Sequence, residues 1–219
     1  LPEPITQDLK PLRNTMEAFE TARLNMGNSQ IVPQNIKNQA LVDVIAKIPR
    51  HIFKPEDKQG ISYIDGRINI GHDRYILPPM VFAKMLDALD LKPTDSVLDI
   101  ACGTGYSSAV LANLCKKVVA VESDTGLASK AHLNLNKLSI GNVIIIGNNL
   151  ADGHEEGAPY NAIIINGSIR QIPHNLFGQL LDNGKLITIL SKTLYSAKIV
   201  LFDKKHGAVS STEILDINL

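Results

Sequence analysis

Through the middle of the chain, short runs of Val, Ile and Leu alternate with stretches of helical spacing. The runs at 97–100, 118–121, 143–146, 162–165 and 186–190 are too short for helices and predict buried strands. Between them the spacing predicts helices ending near 114, over 125–138, and from Pro173 to about 182–184. Two last extended runs, 197–202 and 212–217, flank a Lys-Lys-His-Gly turn and predict an antiparallel hairpin. Upstream, Met16, Phe19, Ala22 and Leu24 predict a helix over 12–26, closed by Gly27. Ala40, Leu41, Val44, Ile45 and Ile48 share one face of a second helix, 36–48, stopped by Pro49. Residues 61–70 read as extended with a turn at Asp65-Gly66, and Pro79 opens a third helix over 79–89. Residues 1–10, with two prolines, read as an arm. The expected fold is α/β: a Rossmann-like, mostly parallel sheet with helices on both faces, a terminal antiparallel hairpin and an N-terminal helical cap. A boundary near residue 75 divides it into a cap, 1–75, and an α/β core, 76–219.

Composition narrows the function classes. The 219 residues suffice for one α/β domain and a smaller appendage, and 44% apolar with 20% charged residues is ordinary for a globular protein. The formal net charge of zero argues against nucleic-acid binding through bulk electrostatics. No apolar run approaches the ~20 residues of a membrane span. Cys102 and Cys115 stand at opposite ends of one predicted helix, so a bridge is not expected, and with no His or carboxylate cluster beside them neither is a metal. No basic-apolar leader pattern opens the sequence, and the expected compartment is the cytoplasm.

The chemistry concentrates in Val97-Leu98-Asp99-Ile100-Ala101-Cys102-Gly103-Thr104-Gly105-Tyr106: a buried strand carrying an acid, a small-residue loop, and a helix start. Glycines let a backbone approach a ligand closely, and a helix start offers free N–H groups. Seventeen residues past Gly105 the next strand ends in Glu122, where a carboxylate can accept two ribose hydroxyls. A dinucleotide fits poorly, because Ser108 takes the place of the third glycine and Asp99 would repel pyrophosphate. S-adenosyl-L-methionine carries an ammonium and a sulfonium and no phosphate. The segment resembles motif I of the methyltransferases that use it, with Ala101 at the usual first glycine. The alternative is a glycine-containing βα turn that binds nothing.

Further segments extend the likeness. Ile48-Pro49-Arg50-His51-Ile52-Phe53-Lys54-Pro55 resembles the V-P-R-x-x-F-V-P segment of the protein-L-isoaspartate O-methyltransferases. Tyr63 and Ile70-Gly71-His72 resemble that family's Y…L-P-I-G-H-G segment. Ala158-Pro159-Tyr160-Asn161-Ala162-Ile163-Ile164 is similar to A-P-Y-D-A-I-I, and 172–184 to I-P-x-x-L-x-x-Q-L-x-x-G-G. The resemblance spans roughly 20–200 and implies methylation of isoaspartyl carboxylates in damaged proteins. It also implies donor contacts at Asp99, Ala101, Gly103, Gly105, Tyr106, Glu122 and Ser123, and at Asn148 and Asn149 near the adenine; Asn166, at the end of the run 162–165, faces the expected ligand crevice by its position alone. His72 reads as a loop-positioning residue.

One stretch departs. The family follows its Gly-His with Thr-Ile-Ser-x-Pro, which holds the acceptor carboxylate; here the sequence is Asp73-Arg74-Tyr75-Ile76-Leu77-Pro78-Pro79, with Tyr75 at the Thr position and Leu77 at the Ser position. Leu77 cannot donate a hydrogen bond. Arg74 or Tyr75 can replace the lost contact, since Arg pairs with carboxylates through two N–H groups; the alternative is Arg74 in solvent and Tyr75 packed on the cap. Arg74, Tyr75 and position 77 are therefore the candidate catalytic-side residues. Three functions remain open. They are isoaspartyl methyltransferase, a methyltransferase of the same fold on another acceptor, and a non-catalytic S-adenosylmethionine-binding module. The expected partner is a peptide or protein substrate, met by a monomer or weak oligomer, with no nucleic acid or membrane.

Overall fold

The computed structural model describes residues 10–191 and 196–217, and the side chains from residue 15 onward. The apolar runs pair into one seven-stranded sheet: β3 (Ser96–Ile100), β4 (Lys117–Glu122), β5 (Val143–Gly147), β6 (Tyr160–Ile169), β7 (Leu180–Ser191), β8 (Ala197–Lys205) and β9 (Ala208–Ile217), in the order β5-β4-β3-β6-β7-β8-β9. The first five are parallel; β7–β8 and β8–β9 are antiparallel. A separate hairpin, β1 (Ile68–Gly71) with β2 (Arg74–Ile76), precedes the sheet. The chain leaves β3 for β4 on one side and returns to its other side with β6. That reversal opens a crevice at the carboxyl ends of β3 and β6.

Strand alternation gives the sheet two apolar faces. Val97, Val118, Ala120, Ala162 and Ile164 point into one core, and Leu98, Ile100, Val119, Val121, Ile163 and Ile165 into the other. The first face carries α1 (Lys10–Met26), α2 (Gln39–Lys47), α3 (Pro79–Leu89), α4 (Tyr106–Ala112) and α5 (Thr125–Lys137). The second is closed by Tyr160, Leu176 and Leu180 and by the short helix α6 (Asn175–Gly178). Met26, Ile31, Leu41 and Ile45 of the N-terminal segment share the first core with Val97 and Val118.

Several elements differ from their sequence pattern, each for a local reason. The arm over 1–10 lies almost wholly outside the described residues. Gly27 does not end its helix outright; the chain runs on through a π turn, Gly27–Ile31. The second helix starts at Gln39, not residue 36, because Asn38 Oδ1 accepts the Leu41 N–H at 3.2 Å and caps it. Residues 61–70 are not extended throughout: a 3₁₀ helix covers Glu56–Ile61, turns follow, and only Ile68–Gly71 is strand. The helix expected from Pro173 to 182–184 shrinks to four residues, since Leu180 pairs with Tyr160 and starts β7. The final turn is His206-Gly207 alone, both at positive φ (51° and 77°). This two-residue hairpin loop leaves Lys204 and Lys205 in the strand.

Candidate active site

A cavity of about 570 Å³ opens at the crevice. Its floor is Ile100, Ala101, Ile165 and Asn166; Ser123, Asn149 and Leu150 line one side, and Arg74, Tyr75 and Leu77 the hairpin side. Mostly apolar walls with a few convergent polar groups suit a small organic ligand.

Glu122, the last residue of β4, lies beneath this cavity and is 0% exposed. Its Oε1 accepts the N–H groups of Ser123 (2.9 Å) and Asp124 (3.1 Å), and its Oε2 accepts that of Gly103 (2.9 Å). Arg74 closes it from above: Nε lies 3.2 and 3.3 Å from the two oxygens, and Nη2 donates to Ser123 Oγ at 2.9 Å. The hairpin is tied down again where His72 Nδ1 meets Asp124 Oδ2 at 2.8 Å. Gly71, His72 and Asp73, all at positive φ, turn the chain so that Arg74 reaches back over β4.

Asp99 is also 0% exposed, and it does not line the cavity. Ser107 Oγ (2.8 Å) and Ser108 Oγ (2.5 Å) donate to its Oδ2, and Asn166 Nδ2 donates to its Oδ1 (2.5 Å) and to the Ile100 carbonyl (3.0 Å). Burial pushes the Asp99 carboxyl up to about 6; the three hydrogen bonds oppose that rise and the nearby Glu122 charge adds to it. What reaches the cavity is Asn166, clamped by Asp99.

The loop geometry follows from close packing. At Gly105 (φ 92°) an added Cβ would stand 3.1 Å from Ala131 Cβ and 3.3 Å from its Cα, so glycine lets α5 lie against the loop. Ala101 also takes a left-handed conformation (φ 59°) without glycine's freedom. Gly103 brings its N–H onto Glu122. The Tyr106 side chain turns into the core, edge-on to Phe53 at 5.6 Å and under Arg50 Cζ at 4.8 Å. It borders only a small recess beside the main cavity.

The structure thus gathers Arg74, Tyr75, Leu77, Ala101, Ser123, Asn149 and Asn166 around one cavity, with Glu122 directly behind Arg74. Asn148 does not join them. Its Nδ2 donates to the Gly153 carbonyl at 3.1 Å and braces the loop after β5. Leu77 is buried, and its carbonyl accepts from the buried Arg50 Nη2 at 2.6 Å. Sequence reasoning misses Ser107, and it misses Arg67, whose guanidinium lies 5.3 Å over the Tyr75 ring at the cavity rim. The signal for the first is the Ser-Ser pair after the glycine loop; local sequence holds none for the second.

A doubly wound sheet with a glycine loop after its first strand and an acid closing the second defines a Rossmann-like fold with its ligand crevice at the strands' carboxyl ends. A family model described as Protein-L-isoaspartate(D-aspartate) O-methyltransferase (PCMT) matches residues 26–218. A protein-L-isoaspartate O-methyltransferase of Methanococcus aeolicus is 36% identical over 197 residues, covering 89% of this chain and 87% of that relative. One of Geobacter metallireducens is 36% identical over 191 residues, covering 87% and 88%. A solved protein-L-isoaspartate O-methyltransferase superposes with a TM-score of 0.77 at 23% identity, over 92% of this chain and 64% of that one. A candidate member from Plasmodium falciparum, solved with S-adenosyl-L-homocysteine, gives 0.74 at 23% identity over 91% and 95%. The chain belongs to the protein-L-isoaspartate(D-aspartate) O-methyltransferase family.

Proposed function

We propose that this protein methylates the free carboxylate of isoaspartyl residues in peptides or proteins, with S-adenosyl-L-methionine as methyl donor. The family match over residues 26–218 carries the reading, because it takes in the whole cavity. Glu122 is the ribose acceptor, with Ser123 beside it, and Asn149 meets the adenine edge. Asn166, held by Asp99, faces the donor's methionine end. Ala101, Gly103 and Gly105 bring backbone close to the donor, and Tyr106 supports them from the core. A cavity with apolar walls and a buried carboxylate held by three backbone amides supports this assignment. We read residues 1–75 as a cap over the 76–219 core.

When bound, the donor supplies an electrophilic methyl on a positively charged sulfur. The acceptor carboxylate is ionised near neutral pH, with a pKa of about 4, so the protein needs no general base. Its residues have two tasks: to align the acceptor oxygen with the methyl and to keep water out. Tyr75, Leu77 and Arg74 on the hairpin face that step. We propose that the protein acts in the cytoplasm, as a monomer or weak oligomer, on protein substrates and not on nucleic acid or membranes. Zero net charge and two free, buried cysteines support this.

The test is methyl transfer from labelled donor to an isoaspartyl peptide and to its ordinary aspartyl twin. Transfer to the first alone, as a base-labile ester, is expected. Donor binding with transfer to neither peptide would defeat the proposal.

A further inference from the structure

We infer that Arg74 is the acceptor-binding residue, and that it is freed for this role when a ribose diol takes its place on Glu122. The inference rests on the proposed function and adds a coupling between the donor and acceptor halves of the cavity.

The first step is a count of acceptors. A carboxylate offers about four lone-pair positions. Backbone amides of Gly103, Ser123 and Asp124 hold three of those on Glu122. These amides are fixed by the loop and by the start of α5, so they do not yield to a ligand. Arg74 Nε covers the remainder, within 3.3 Å of both oxygens, and leaves the residue 0% exposed. A ribose hydroxyl can reach Glu122 only where Arg74 now lies. The Ser123 hydroxyl also stands 3.5 Å from Oε1, on a short side chain; among the described groups on Glu122 Arg74 alone is a side chain on a long stem, and it is itself 21% exposed.

The second step is where the displaced guanidinium goes. Arg74 lines the same cavity as Leu77, the position to which the family resemblance assigns a carboxylate-holding serine. Removed from Glu122, it presents two parallel N–H donors, the geometry that suits a carboxylate. Paired with Glu122, it is a neutralised group backed by a negative charge and a poor receptor for an anion. Donor binding therefore raises acceptor affinity, and by linkage the acceptor raises donor affinity by the same factor.

Calorimetry on the full chain tests this, with S-adenosyl-L-homocysteine as the donor-site probe and an isoaspartyl peptide as the acceptor. Arg74→Ala is expected to bind S-adenosyl-L-homocysteine at least threefold more tightly than the wild type. It is also expected to raise the peptide KM at least tenfold, with a smaller change in kcat. In the wild type, S-adenosyl-L-homocysteine should tighten peptide binding at least fivefold; in Arg74→Ala that coupling should vanish. Arg74→Gln, closer in shape, guards against misfolding and should behave the same way. Equal or weaker S-adenosyl-L-homocysteine binding by both variants, or undiminished coupling, would overturn the inference and leave the proposed function standing. A KM defect in Arg67→Ala with none in the Arg74 variants would overturn it in favour of the other guanidinium. A wild-type protein that neither binds the probe nor transfers methyl would defeat both.

Discussion

Replacing Leu77 by serine installs a hydroxyl where the family resemblance implies one and tests which side chain meets the acceptor. The backbone there is pinned by the 2.6 Å bond from Arg50 Nη2 to the Leu77 carbonyl, so the substitution changes the side chain and little else. Leu77 is 9% exposed and borders both the main cavity and the small recess lined by Ile70, Ile76 and Phe82. Truncating a fully enclosed leucine costs about 2–5 kcal/mol; at a cavity wall the lower end, about 2 kcal/mol, applies. Against this loss, the new hydroxyl can donate to an anionic acceptor, an interaction worth roughly 1.5–3 kcal/mol. With a guanidinium sharing the same carboxylate, the lower figure holds, which is roughly a tenfold gain in kcat/KM. The variant should thus be less stable and more active. Initial rates of labelled methyl transfer to an isoaspartyl peptide give the second quantity, and urea unfolding the first. A folded Leu77→Ser that binds S-adenosyl-L-homocysteine like the wild type, yet shows unchanged kcat/KM, would refute the placement of side chain 77 against the acceptor.

Other variants probe the donor side. Ala101 holds φ at 59°, and relieving a left-handed alanine is worth about 1–2 kcal/mol, partly offset by glycine's extra unfolded freedom; Ala101→Gly should stabilise by about 0.5–1 kcal/mol in urea unfolding. Glu122→Gln cannot accept from all three amides and keeps no charge, so S-adenosyl-L-homocysteine affinity should fall at least roughly tenfold by calorimetry; unchanged affinity would remove Glu122 from the site. The Asp99 carboxyl stands at about 6 in the folded protein against an ordinary 3.8. Between those values the unfolded chain has released its proton and the folded chain keeps it, so stability falls as pH rises from about 4 to about 6 and stays lower above, by on the order of 3 kcal/mol. Asp99→Asn should flatten that component; parallel pH–stability curves for wild type and variant would contradict the assignment.

The legible parts of this molecule are those whose signals are local. β3, β4 and β6 show as apolar runs because both faces of each strand are covered, and the Gly103–Gly105 loop and Glu122 follow directly from the ends of such runs. The shortened α6 was hidden because its apolar spacing fits a helix equally well until Tyr160 offers Leu180 a strand partner, a contact 20 residues away in sequence. The partner of Glu122 was hidden for the same reason. Arg74 lies 48 residues upstream and reaches it only through the tight hairpin at Gly71, His72 and Asp73. A sequence lists the charges at a site but not which of them are already paired.

That distinction changes what the cavity presents to a ligand. Two acids at the ends of adjacent strands suggest an anionic cradle for a cationic donor. In the folded chain neither carboxylate faces the cavity. Asp99 is consumed by two serine hydroxyls and Asn166, so it acts by fixing an amide in the wall. Glu122 is consumed by three amides, a guanidinium and, at 3.5 Å, the Ser123 hydroxyl. The two acids are compensated by different means, and the difference decides their use. Two serine hydroxyls of α4 and the Asn166 amide of β6 close around Asp99, and the two serines, both buried, cannot leave it without unpacking the core. Arg74 stands on a two-stranded hairpin outside the main sheet and can leave Glu122 at the cost of one ion pair and its hydrogen bond to Ser123 Oγ. On the inference drawn above, Glu122 is the carboxylate that a ligand uncovers, and donor affinity is then set jointly by the pocket and by the hairpin that covers it.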